Sequence, residues 1–325
     1  MESNNLFVSP NGEYFINLYI DITVCKKEND ALVFHKNLEK MKNPDTVCFS
    51  DDSALFAVKN NNNLVDVYRA DSFTKIFKVK GPREFGGKMF FLDNERLLSS
   101  TESGKIYTLD IITGNMCCLY DLNLTYAEIL QASNNRFFVF GNDLECTHIF
   151  LLSFDKRETS IKPIYSSKAK LRTNALSFAD NRIYALFQSN EAVDLFVFRY
   201  GITDNTMKVE DCIRILTESD CAKLKKHASD KIFEQIYKIA PNVNIDFSPC
   251  ISPLNITSTF QERFIIIAFN YMLAVFDVKE KKCVRRHALD AGIASFLLTD
   301  EGQHIWLSSG AGLKHDSINN ITDNF

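Results

Sequence analysis

Gly104-Lys-Ile-Tyr-Thr-Leu-Asp-Ile-Ile-Thr-Gly114 reads as a β-strand that runs into a tight turn. Ile106, Thr108 and the pair Ile111-Ile112 are set against Tyr107 and Leu109, an acidic-to-glycine turn follows, and a second strand spans Met116 to Leu122. The stretch decides the fold because similar ones recur along the chain.

Seven short apolar runs, each following a turn, mark the recurrence. They are Tyr14 to Tyr19, Leu55 to Val58, Leu97 to Ser100, Phe137 to Phe140, Ile183 to Phe187, Phe264 to Phe269 and His304 to Leu307. The residues just before them are separated by 41, 42, 40, 46, 81 and 40 positions. A period near 40 with several strands in each unit is the mark of a β-propeller. Upstream of most runs lies another apolar strand and a turn signal, as in Leu6-Phe-Val8 before Ser-Pro-Asn-Gly and Val47-Cys-Phe49 before Ser-Asp-Asp-Ser, which makes a hairpin. Downstream come third and fourth strands, as in Leu64 to Tyr68 and Lys75 to Val79. The expectation is an all-β chain, one seven-bladed propeller domain over residues 1–325.

Gly104 to Gly114 and Met272-Leu-Ala-Val-Phe-Asp-Val-Lys-Glu-Lys-Lys-Cys283 resemble the segment joining the third and fourth strands of a WD40 repeat. Leu109-Asp110 and Phe276-Asp277 stand where that family has Trp-Asp. No repeat carries the Trp-Asp pair and none opens on Gly-His, so the family's buried hydrogen-bond network transfers to no residue here.

The interval of 81 holds about one extra repeat of sequence. From Thr217-Glu-Ser-Asp220 onward, Cys221, Leu224, Ala228, Ile232, Ile236 and Ile239 fall at helical spacing and Pro241 follows. This predicts a helix at about 218–239 inside an insertion spanning 217–257, between blades 5 and 6. Its apolar stripe must bury against the propeller's own surface or against a partner. The last blade is short of chain after Ile318, so a partner donating a strand to it is expected.

Composition narrows the function classes. Hydrophobic residues make up 46% of 325, the formal net charge is −4 and the nine cysteines show no repeated spacing. A disulfide framework is therefore not expected, and the chain reads as intracellular, cytoplasmic or nuclear, in a reducing compartment. No apolar stretch reaches the length of a membrane span, and the start Met1-Glu-Ser-Asn-Asn has no signal-peptide character.

The six histidines show no paired spacing with one another or with cysteine, and no nucleophile elbow, phosphate loop or metalloprotease motif occurs. The expectations are accordingly no catalytic residue, no metal ligand, no cofactor, no small-molecule substrate and no enzyme. Basic residues cluster at Lys168, Lys170 and Arg172 and again at Arg285 and Arg286, and the predicted helix carries Lys225, Phe233 and Tyr237. These eight are the candidate partner-binding residues. The function expected is a non-enzymatic protein-interaction scaffold, a subunit of a multiprotein complex. An RNA-associated propeller using the basic clusters, and an enzyme working at a central channel, are the alternatives.

Overall fold

The computed structural model describes residues 5–18, 22–28, 31–38, 41, 43–60, 62–82, 87–155, 158–168, 173–179, 181–188, 192–201, 205–239, 253–258, 264–289, 292–299, 304–309 and 312–317. The chain divides into two compact units, Met1–Leu171 and Arg172–Phe325.

The first unit is a succession of four antiparallel four-stranded sheets. They comprise β1 (Asn5–Val8), β2 (Tyr14–Leu18), β3 (Ile22–Glu28) and β4 (Ala31–Asn37); then β5 (Pro44–Phe49), β6 (Leu55–Asn60), β7 (Leu64–Arg69) and β8 (Lys75–Lys80). The third sheet holds β9 (Met89–Phe91), β10 (Arg96–Ser100), β11 (Lys105–Asp110) and β12 (Met116–Asp121). The fourth holds β13 (Thr125–Ser133), β14 (Arg136–Asn142), β15 (Thr147–Phe154) and β16 (Thr159–Ser167). Each is a simple meander, every strand pairing with its sequence neighbour.

The second unit holds β17 (Thr173–Ala179), β18 (Arg182–Gln188), β19 (Val193–Gly201) and β20 (Thr206–Leu216), then the helix α1 (Glu218–Ile239). A sixth sheet follows, of β21 (Pro253–Ser258), β22 (Phe264–Phe269), β23 (Met272–Asp277) and β24 (Lys282–Ala288). A seventh contains β25 (Ile293–Thr299), β26 (His304–Ser309) and β27 (Gly312–Ser317).

The expected seven-bladed propeller is thereby corrected. Among the described residues there are six complete four-stranded blades, the helix lies between the last two of them, and the seventh sheet has three strands. Dense apolar runs identify second strands, which are buried on both faces and so lose the polar alternation. Counting them counts sheets, and only six of the seven runs are flanked by a first, a third and a fourth strand.

Burial shows why those runs are dense. Phe56, Ala57 and Val58 of β6 and Ile265, Ile267, Ala268 and Phe269 of β22 are all fully buried. Apolar clusters fill the spaces between consecutive sheets within each unit. Between the first two, the Phe56 ring stacks on Tyr68 at 4.9 Å with planes 7° apart, and Tyr14 meets Phe73 edge-on at 5.4 Å. Such pairs contribute roughly 0.5–1.5 kcal/mol beyond their buried area.

The stretch Gly104 to Gly114 forms β11 and its turn in the third blade. Leu109 is buried, where a WD40 repeat has tryptophan, and the Asp110 carboxylate accepts the N–H groups of Ile112 at 3.0 Å and Thr113 at 2.8 Å. Asp277 accepts those of Lys279 and Glu280 at 2.9 and 3.0 Å in the same way. The aspartates persist because a turn needs an acceptor for its own backbone. Gly104 is required by its backbone, with φ at +82° and a hypothetical Cβ 2.9 Å from that of Leu124.

Candidate functional site

The hairpin joining β14 to β15 gathers three side chains capable of holding a metal ion. Backbone and side-chain bonds shape it: Asp143 N–H donates to the Cys146 carbonyl at 3.0 Å, and the buried Thr147 hydroxyl donates to Asn142 Oδ1 at 2.6 Å. Oδ1 of Asp143 accepts the N–H groups of Glu145 at 2.7 Å and Cys146 at 2.6 Å, the turn-forming role also seen at Asp110 and Asp277. Its Oδ2 is turned to His148, whose Nε2 lies 2.7 Å away. Those two backbone N–H groups, followed by His148, hold the Asp143 carboxyl down at about 2. The His148 ring is fixed from its other side, since Nδ1 lies 2.8 Å from the hydroxyl of Ser166, its register partner on β16. Ligand atoms of Asp143, Cys146 and His148 all lie within 4.8 Å of one another.

Sequence reasoning missed this group. It looked for pairs of histidines and cysteines at metal-finger spacing, whereas Asp143-Leu-Glu-Cys146-Thr-His148 mixes three residue types across a hairpin tip. The detectable signal was an Asp at a turn with Cys and His two residues apart where the turn enters the following strand.

Exposed apolar side chains mark a second feature. Of eight large hydrophobic residues exposed among those described, five lie on fourth strands: Val33 and Phe34 on β4, Met116 on β12, Val209 on β20 and Val284 on β24. Phe34 is 60% exposed and Val33 43%. Consecutive strand residues point to opposite faces, so both faces of β4 meet solvent there. In its sheet β4 is the terminal strand, paired with β3 alone.

The predicted partner-binding residues are distributed as follows. The amphipathic stripe of α1 is turned inward: Cys221, Leu224 and Ala228 are buried with Ile213, Ile215 and Leu216 of β20 and Tyr271 and Met272 at the β22–β23 hairpin. Thr217 caps the helix, its hydroxyl accepting the Asp220 N–H at 3.2 Å. Arg286 is drawn into the same junction, donating to Asp220 Oδ1 at 2.7 Å, to Oδ2 at 3.3 Å and to the Ile215 carbonyl at 3.4 Å. Burial raises the Asp220 carboxyl, but Arg286 and the Thr217 N–H and hydroxyl together bring it down to about 2. His227 Nε2 sits 3.3 Å from the Leu289 carbonyl, a second tie between helix and sixth blade.

Lys225, Phe233 and Arg285 are half-buried, while Lys168 is exposed at the end of β16. Tyr237 lies on α1 with its side chain outside the described residues, as are Lys170 and Arg172 altogether. The structure thus brings Arg286 to the helix start, while Lys168 belongs to the first unit.

Adjacent first-to-second-strand turns are tied together, Asn11 N–H to Ser53 Oγ at 3.0 Å and Asn94 Nδ2 to Asp52 Oδ2 at 2.9 Å, beside an open cleft of about 490 Å³ lined by polar and apolar groups alike. On the second blade, burial lowers the Lys59 pKa and raises that of Asp45, each effect partly offset by their mutual attraction. Eight cysteines are unbridged among the described residues, and no described helix is long and apolar enough to cross a membrane.

No family model matches the chain, and no curated protein does. Solved structures do. The β-propeller domain of Myceliophteria thermophila Cps50 (Swd1) is 11% identical over 97% of both chains with a TM-score of 0.69. The Kuenenia stuttgartiensis hydrazine synthase is 9% identical, over 97% of this chain and 95% of that one, with a TM-score of 0.66. The expectation that the chain is not an enzyme, which rested on finding no chemical constellation, is overturned by Asp143, Cys146 and His148 together with the occurrence of the fold in an enzyme. At these identities the likeness establishes the fold alone: this chain is a β-propeller.

Proposed function

We propose that this propeller works as a protein-interaction subunit of a larger assembly and that β4 is its principal docking edge. The carrying observation is the exposure of Val33 and Phe34 on a terminal strand. Proteins blunt such edges with lysines, prolines or covering elements, because an apolar edge templates association. Four other fourth strands show that device, β8 with Lys75, Lys78 and Lys80, β16 with Lys162 and Pro163, β20 with Lys208 and Arg214, and β24 with Lys282, Arg285 and Arg286, whereas β12 does not. β4 has a lysine only near its end, at Lys36, and its middle presents Val33 and Phe34, which suits a strand that a partner covers by backbone pairing with side-chain pockets.

RNA binding is disfavoured by the fate of the basic residues. Arg286 is paired with Asp220, Lys281 with Asp211 at 2.5 Å and Arg214 with Asp194, so much of the positive charge on these strands is neutralised within the fold.

The test is quantitative co-purification from the native source of wild-type chain and of Phe34→Asp. Stoichiometric partners that fall at least tenfold with Phe34→Asp support the reading. Partner recovery unchanged by that substitution, with Phe34→Asp melting like wild type, contradicts it.

A further inference from the structure

We propose that Asp143, Cys146 and His148 form a three-ligand binding site for a divalent transition metal, zinc by the chemistry of the donors, at the tip of the β14–β15 hairpin. This is independent of the docking reading.

The argument begins with Asp143 Oδ2 and His148 Nε2, 2.7 Å apart. Both atoms are electron-pair donors, and two bare donors at that separation repel, so a cation must lie between them. In the metal-free chain that cation is a proton on Nε2. A metal ion replaces it with little rearrangement, since ligands of a tetrahedral zinc at roughly 2.0–2.1 Å sit about 3.3 Å apart.

The surroundings already hold the ligands as a metal would need them. When a metal displaces the proton from Nε2, the ring's N–H moves to Nδ1, where Ser166 Oγ at 2.8 Å is placed to accept it. Ring nitrogens bound to metals are oriented by such outer bonds. Asp143 spends Oδ1 on two turn N–H groups and keeps Oδ2 as a monodentate ligand in a fixed direction. Cys146 supplies the third donor from a half-buried position within 4.8 Å of the other two. A zinc-bound sulfur and nitrogen are about 3.5 Å apart, so closing the set requires the Cys146 sulfur to draw in from a separation of at most 4.8 Å.

The donor set selects the metal class. A thiolate excludes calcium and magnesium, which take oxygen ligands, while a mixture of sulfur, nitrogen and oxygen suits zinc and its neighbours. With three protein ligands the fourth position is open to water, the arrangement that distinguishes reactive zinc sites from closed structural ones. The structure elsewhere offers a reason why such a turn would not hold metal: Asp110 and Asp277 form the same aspartate turn without cysteine or histidine beside them. The hairpin of the fourth blade differs from them by its ligands.

The experiment uses the full chain, stripped with chelator and titrated with Co²⁺ as a spectroscopic probe, then with Zn²⁺ in competition. The expected result is one cobalt per chain with a thiolate-to-cobalt charge-transfer band in the near ultraviolet, displaced by zinc and shifted by added azide at the open position. Cys146→Ser removes the band while leaving the melting curve of the metal-free chain unchanged. Asp143→Asn weakens binding at least tenfold, and Ser166→Ala by about tenfold through loss of ring orientation. Absence of the band in wild type overturns the site. So does binding undiminished in both Cys146→Ser and Asp143→Asn, or a His148→Ala variant that lowers the melting temperature of the hairpin's blade without altering cobalt affinity.

Discussion

Replacing Asp220 with asparagine tests how α1 is held to its blades. The carboxylate is 19% exposed and is gripped by Arg286 and by Thr217, which bring it from the usual 3.8 to about 2. A difference of nearly two units corresponds to about 2 kcal/mol at 1.36 kcal/mol per unit. Because the Arg286 side chain is 41% exposed, solvent screening reduces this to about 1–2 kcal/mol. The sign follows from linkage: a depressed folded-state pKa stabilises fully above the unfolded value and is lost as pH falls through the folded one. The contribution is therefore present at pH 7 and fades between about pH 4 and pH 2. Amide exchange of the first three turns of α1 reads it locally, with about 5- to 30-fold faster exchange expected in Asp220→Asn at pH 7. Equal exchange in the two proteins at pH 7 would refute the latch. A difference in helix opening that stays the same at pH 2 would refute its electrostatic origin.

Further outcomes follow from other residues. Leu224→Ala removes a buried side chain from the helix–blade cluster and should cost about 2–5 kcal/mol in denaturant unfolding. Gly104→Ala combines a positive φ with a close approach to Leu124, so a loss above about 1 kcal/mol is expected. With a thiol reagent under native conditions, exposed Cys117 and Cys118 should label first. Cys25 and Cys221, which are buried and whose thiols burial pushes up, should label only on unfolding. Mass spectrometry of the labelled peptides checks the order.

The second strands were legible because burial on both faces leaves an unbroken apolar run, as in Phe264-Ile-Ile-Ile-Ala-Phe269, which is β22. The outer strands of the first blade were not read at all. β3, with Ile-Thr-Val-Cys-Lys-Lys-Glu, and β4 mix lysine with apolar residues as half-exposed strands do, and the Asn29-Asp30 pair between them was passed over because neither strand showed a dense apolar run. α1 was legible from end to end through its spacing and its cap at Thr217. Arg286 was read as one of a basic cluster because its partner Asp220 lies 66 residues away, a distance that local pattern does not span. Asp143 was hidden by its other role: an aspartate at a hairpin turn is explained by the backbone, and the explanation leaves its second oxygen unexamined.

If β4 is a docking edge, a partner covers it in the native assembly. Hydrogen–deuterium exchange on the chain alone and in its purified native assembly measures this at residues 33–37. The account predicts that these amides, on the terminal strand of their sheet, become protected at least tenfold in the assembly. Exchange there that is identical in the two states, with protection appearing elsewhere, would contradict it.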